Sequence, residues 1–241
     1  MGRSNYLMLP YFQFLETRRI HNWFGRIVQL AIWLVVGLLL TGCTTTYAPP
    51  VKSDGVPLNF FASSPVLPVS LRRVAILPVA CDEPGSAMSE GCETLRPGLL
   101  EELIRTKKFE VVSVNPEIMR RYTGRADWTG AEILPADFFN LLQREYGCDA
   151  VLFCQLTTFR AYAPLTIGWR MKMVDVRTQR IIWAADEVFD AKAAAGVGAW
   201  LIQQGRQLIT PEFSDEWAVL NSPSRFGRYS AAKLLATLPG R

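Results

Sequence analysis

The chain has 241 residues, 49% of them apolar and 20% charged, with a formal net charge of +4, which suits one globular domain with additional segments. Its single histidine, His21, lies ahead of position 43, so residues 43–241 cannot build a Ser-His-Asp or Cys-His nucleophilic arrangement or the usual histidine-bound zinc site. Four of the 26 basic side chains and one of the 22 acidic ones also precede position 43, which leaves the remainder at +1 and makes no case for nucleic acid.

Arg18, Arg19 and Arg26 precede Ile27–Leu40 (IVQLAIWLVVGLLL), a run without charge. A basic segment, an apolar segment and small residues at the exit form a secretory signal. A membrane-spanning helix is the rival reading, but it needs about 20 apolar residues, more than this run supplies. Leu40-Thr41-Gly42-Cys43 resembles the lipobox of bacterial lipoproteins, an aliphatic residue and two small ones before cysteine. The thiolate is the nucleophile able to take up a diacylglycerol group, and Thr41 and Gly42 leave room for a peptidase. The resemblance implies cleavage before Cys43, acylation of its amine, and a lipid anchor there. Thr44 stands where many inner-membrane lipoproteins carry aspartate, so the expected address is the outer membrane. Thr17-Arg18-Arg19 resembles a twin-arginine signal, but Ile20-His21-Asn22 lacks the apolar continuation, and ordinary secretion is expected. Met8 is an alternative start.

Thr44–Leu71 is rich in Pro, Ser and Thr without periodicity and reads as a tether; Phe60-Phe61 within it could dock on the domain or on a neighbour. Arg73–Val79 (RVAILPV) predicts a buried strand. Cys81 and Cys92 flank a polar loop and are expected to pair, as an extracytoplasmic compartment permits. Pro97 suits a first helical turn, with Leu99, Leu100, Leu103 and Ile104 as the apolar stripe. Phe109–Val114 is a second strand, and Asn115-Pro116 caps a short helix through Tyr122. A loop follows to Leu134, then a helix over Pro135–Tyr146, its apolar face Phe138, Leu141, Leu142 and Tyr146, stopped by Gly147.

Three strands come next: Cys148–Phe159, Thr166–Val176 and Arg180–Phe189, the last two joined by a tight turn at Asp175–Gln179. Cys148 and Cys154 fall in one strand about 20 Å apart, too far to bridge, and read as buried thiols. A metal site using all four of these cysteines is the alternative. Ala191–Leu208 and a segment from Ser222-Pro223 to about Leu238 predict helices. The expected fold is α/β (α+β), a mixed sheet of about five strands in the order β-α-β-α-α-β-β-β-α, with helices on one or both faces. The expected organisation is a signal over 1–42, a flexible tether over 43–71, an α/β domain over 72–210 and a C-terminal extension with a helix over 211–241.

RRVAILPV, KKFEVVSV, YGCDAVLFCQLTTF and WRMKMVDVRTQRIIW together resemble the periplasmic domain shared by the curli-secretion lipoprotein CsgG, the amino-terminal domain of TolB, the exopolysaccharide lipoprotein PelC and the penicillin-binding-protein activator LpoB. The likeness spans about residues 72–190. One departure is Gln179, where the family hairpin usually has glycine. The resemblance implies a binding or assembly module without a cofactor, not an enzyme.

Ala191, Ala195 and Ala199, with Trp200 beside them, form a small-residue stripe that either packs on the domain's own sheet or serves as an oligomer contact. Arg120, Arg121, Tyr122, Arg125 and Trp128 mix base and aromatic, as a surface for peptidoglycan or exopolysaccharide would, or simply end a helix in solvent. Asp175, Asp186, Glu187 and Asp190 invite a carboxylate-pair enzyme, or are ordinary solvated acids. Phe226, Tyr229 and Leu234 with Arg225, Arg228 and Lys233 could lie on a membrane or pack at the domain edge. The leading expectation is a non-enzymatic outer-membrane lipoprotein whose periplasmic domain serves envelope assembly or export, its partners being the membrane through Cys43, envelope proteins or further copies of itself. A subunit of an oligomeric secretion channel and a cell-wall polymer enzyme are the alternatives.

Overall fold

The computed structural model describes residues 57, 59–81, 87–194, 197 and 214–241. These carry strands β1 (Phe60–Ala62), β2 (Arg73–Ile76) and β3 (Ala80–Cys81), helix α1 (Ala87–Arg105), strand β4 (Glu110–Ser113), helices α2 (Pro116–Thr123) and α3 (Phe138–Tyr146), strands β5 (Ala150–Arg160), β6 (Thr166–Asp175) and β7 (Ile181–Asp190), and helices α4 (Ser214–Asn221) and α5 (Pro223–Leu235). The fold is mixed α/β around one sheet.

The sheet runs β1-β7-β6-β5-β2-β4, with β3 also beside β5. β2 is parallel to both β4 and β5, whereas β5, β6, β7 and β1 form an antiparallel meander. β2 and β3 are two parts of one interrupted strand: Ile76 pairs Leu152, but Ala80 pairs Gln155. Four steps along one strand match three along the other, a bulge centred on Pro78, which has no N–H to give to a ladder.

Parallel neighbours require crossovers, and these are right-handed almost without exception. The chain moves outward from β2 to β4 through α1, then back across β2 to β5 through α2 and α3. Opposite directions of travel put the two connections on opposite faces. Leu95, Leu99 and Leu103 of α1 accordingly pack with Val74, Leu152, Trp169 and Trp183 on one face. Met119 of α2 and Phe138 and Leu142 of α3 pack with Ala75, Val151 and Phe153 on the other.

Two segments contribute more to this core than the sequence reading grants them. Phe226, Tyr229, Leu234 and Leu238 are buried in the same cluster as α1, so α5 covers the sheet beside it. The indole of Trp169 donates to Ser230 Oγ at 2.9 Å, and that of Trp183 to Thr237 Oγ1 at 3.1 Å. A Cβ on Gly227 would come within 2.4 Å of Leu95, which shows how closely α5 approaches α1. Within the stretch read as tether, β1 pairs with β7, Leu67 and Leu71 are buried, and the Leu67 amide donates to Gly240 O. The described part of that stretch shows no repeating apolar face because, beyond β1, it is held by single buried leucines.

The start of α1 also differs. The helix begins at Ala87, and Pro97 lies inside it. Its buried side is Leu95, Leu99 and Leu103, while Leu100 is half-buried and Ile104 exposed. The apolar stripe is thus wider than the sheet it covers. α2 and α3 follow local rules: Asn115 Oδ1 accepts the Glu117 N–H at 2.8 Å, and Gly124 and Gly147 end the helices in the left-handed conformation. No described helix is long and apolar enough to cross a membrane.

Candidate functional site

Where connections leave neighbouring parallel strands toward opposite faces, their carboxyl ends part and a crevice opens, the usual ligand position in open α/β sheets. β2 and β4 meet this condition. Outside their carboxyl ends lies a crevice of about 500 Å³, within the range of small-molecule sites. Pro78 and Val79 form one side, Val114 and Pro116 another, and Leu100 and Leu103 of α1 the third. Leu100, which the sheet does not fully cover, therefore faces this space. Pro97 also borders it and, having no N–H, leaves the Glu93 carbonyl without its ordinary helical donor. Arg96 is the one charged side chain of the lining; its only described partner is the exposed Glu93, at 3.1 Å.

The disulfide joins Cys81 of β3 to Cys92 of α1, Cα atoms 6.6 Å apart. It clamps the helix that forms one wall to the strand that continues beyond the bulge. Sequence reading leaves the crevice unseen because its walls come from three separate segments. The available signal was Pro78 and Pro97, two prolines interrupting elements that otherwise continue.

The other expected site residues do not gather there. Leu40, Thr41, Gly42 and Cys43 lie outside the described residues, as do Ala195, Ala199 and Trp200. Ala191 follows β7, packs against the main core and donates its amide to Leu165 O at 2.9 Å. The acids are held in separate structural contacts. Asp186 pairs with Arg170 at 2.7 Å, Asp175 accepts the Arg177 and Thr178 amides of its own turn, and Asp190 accepts the Lys192 amide and faces Arg160. Glu187 lies on β7 between them. Among the described residues no group of His, Cys, Asp and Glu is placed to hold a metal.

Three of the five basic-aromatic residues are engaged with neighbours, while Arg121 and Tyr122 are exposed. Trp128 is buried against Phe138 and donates to Thr123 Oγ1, Arg125 stacks over its ring at 4.8 Å and pairs with Glu132, and Arg120 pairs with Glu117. Burial pushes the Glu132 carboxyl upward, but hydrogen bonds from Thr129 and Arg125 outweigh it and hold it below the usual range. Arg228, grouped with the tail helix, instead meets Glu101 and the buried Glu102 of α1. Cys148 and Cys154 are free and buried. Burial raises the Cys148 thiol to about 11 and the Cys154 thiol to about 12, which keeps both protonated and unreactive at neutral pH.

A second surface is open. On the face that carries α2 and α3, the part formed by β6, β7 and β1 presents Phe61, Val188 and the Arg170–Asp186 pair, and Phe61 and Val188 are each half exposed.

No protein-family model and no curated protein sequence matches the chain. Among solved structures the fold is similar to the PelC dodecamer from Paraburkholderia phytofirmans, with 11% identity over 76% of this chain and 96% of that one, at a TM-score of 0.45. It is similar to the lipoprotein GNA1162 from Neisseria meningitidis, with 15% identity over 56% and 94% of the two chains, at a TM-score of 0.37. It is also similar to the LpoB C-terminal domain from Salmonella enterica, with 23% identity over 49% and 82%, at 0.34. At such identities the likeness is one of backbone course. PelC and LpoB, named above for resemblances of sequence, thus recur at the level of structure.

Proposed function

We propose that this protein is a lipid-anchored outer-membrane lipoprotein whose periplasmic α/β domain is a non-enzymatic accessory in envelope assembly or export. The observation that carries the reading is Leu40-Thr41-Gly42-Cys43 at the end of an uncharged apolar run. Each CH2 of a lipid chain contributes about 0.8 kcal/mol in the bilayer, and one chain alone holds only marginally. Several chains on Cys43 anchor the domain durably. Two further observations support an accessory role. Three of the four acids that suggested catalysis, Asp186, Asp175 and Asp190, serve an ion pair and two turns, and the open sheet face offers Phe61 and Val188 beside a charged pair, the mixed surface a protein partner covers.

Intact-mass analysis of the N-terminal peptide tests the anchor. A product that begins at Cys43 and carries diacylglycerol and an amide-linked acyl chain is expected, and Cys43→Ala is expected to leave the membrane fraction or keep its leader. An unmodified thiol at position 43 of a membrane-bound product sinks the reading. Crosslinking of the acylated chain in cells tests the role: it should recover envelope proteins or further copies of the chain, with yields that drop when Phe61 and Val188 are changed to aspartate.

A further inference from the structure

We infer that the crevice at the carboxyl ends of β2 and β4 binds a single-chain anionic amphiphile, a long-chain fatty acid, with its acyl chain along Leu100, Leu103 and Val79 and its carboxylate on Arg96. Shape and lining set the chemistry. About 500 Å³ of concave space walled by Pro, Val and Leu takes an apolar body. The lining contains one cation and no acid, so the complementary head is an anion. Arg96 can turn to it at little cost, because its pair with Glu93 joins two exposed side chains three residues apart, a contact that water largely screens. A guanidinium holds a carboxylate through two parallel N–H donors. Leu100 belongs to the apolar edge of α1 that the sheet does not cover, and it lines the crevice. The Cys81–Cys92 bridge fixes the helix one turn before Arg96, so the pocket is held open and preorganised.

The test uses the full chain in nanodiscs of synthetic phosphatidylcholine, photolabelled with palmitic acid that carries a diazirine on its chain. Labelled peptides are expected from Arg96–Leu103 and from around Val79, with competition by unlabelled palmitate. Hexadecanol, which lacks the charge, should compete about tenfold less well, and Arg96→Gln should weaken labelling by about tenfold. Leu100→Trp, at a half-buried position on the crevice side, should abolish labelling while circular dichroism and the thermal transition stay those of the parent chain. Labelling spread over the surface, or unchanged in both variants, overturns the inference. Equal competition by hexadecanol overturns the role of Arg96. With both proteins in the same detergent micelles, Cys43→Ala should label like the parent; a large increase would mean that the anchor's own acyl chain is the occupant, and would overturn a free fatty acid as the ligand.

Discussion

Gln179 holds φ at +56°, in the left-handed region, at the end of a turn whose other groups are satisfied by Asp175. A side chain there strains the backbone by about 1 kcal/mol or more, and nothing in the turn uses the glutamine in return. Gln179→Gly should therefore stabilise the domain by about 0.5–1 kcal/mol, read as a higher denaturant midpoint at unchanged slope; an unchanged or lower midpoint would show that the turn carries no such strain. Glutamine does not by itself mark that conformation; the one signal in the sequence was that Gln179 stands where such a hairpin usually has glycine. Asn115 and Gly147 were legible for the opposite reason, because a cap is decided by side chains within two or three residues. The buried thiols add a pH dependence. Burial raises Cys148 and Cys154 from 9.0 to about 11 and about 12, so the folded state keeps protons that the unfolded state releases. Their contribution is fully present below pH 9 and is lost as pH rises from there toward 12. Denaturant midpoints taken at intervals from pH 8 to pH 11 should fall more steeply for the parent chain than for a Cys148→Ala, Cys154→Ala double variant; parallel curves would contradict the assignment.

At the scale of elements, the departures share one cause: a segment's role was set by what it packs on, beyond the reach of its own pattern. Pro97 resembles a helix start by local rule, yet α1 runs through it because Cys92 and Leu95, upstream, are buried against the sheet and against α5. The tail resembled an appendage because its basic residues could suit a lipid surface. Its Phe226, Tyr229 and Leu234 instead fill the core, and its Arg228 meets Glu101 and Glu102 of α1. The contact between the two helices depends on Gly227, where an added Cβ meets the fully buried Leu95 at 2.4 Å. Gly227→Val should therefore cost about 1–3 kcal/mol by overpacking, and Leu95→Ala should cost less on the Gly227→Val background than alone, because the smaller side chain makes room for the valine. Thermal unfolding of the three variants measures the coupling, and strictly additive losses would mean that the helices do not meet as described.

For the whole molecule, the order of the main strands with α2, α3 and α5 was readable because those strands carry apolar runs and those helices open on a capping residue or proline or end at a glycine; α4 carries no such signal and was not expected. What was not readable is long-range: β1 closing one edge of the sheet, the bulge at Pro78 that divides β2 from β3, and the crevice that this division helps to form. Each needs residues far apart in sequence to be placed side by side. The same long-range character makes the two ends of the described domain interdependent. The Leu67 amide donates to Gly240 O, Lys108 Nζ donates to Leu238 O, and the indoles of Trp169 and Trp183 donate to Ser230 and Thr237. A chain stopped after Asn221 would expose the α1 face and leave two buried indole N–H groups without their acceptors, each at a cost of about 1–3 kcal/mol. It would also lose five buried side chains, Phe226, Tyr229, Leu234, Leu235 and Leu238, worth about 1.5–3 kcal/mol apiece. Together those losses are as large as the 5–15 kcal/mol by which a domain is ordinarily stable. The truncated chain should accordingly show no cooperative melting transition and should be cleaved rapidly throughout residues 72–190 by a nonspecific protease at a concentration that leaves the parent intact. A separate C-terminal extension would behave differently: its removal would leave the transition near that of the parent, and that result would refute α5 as a structural member of the core.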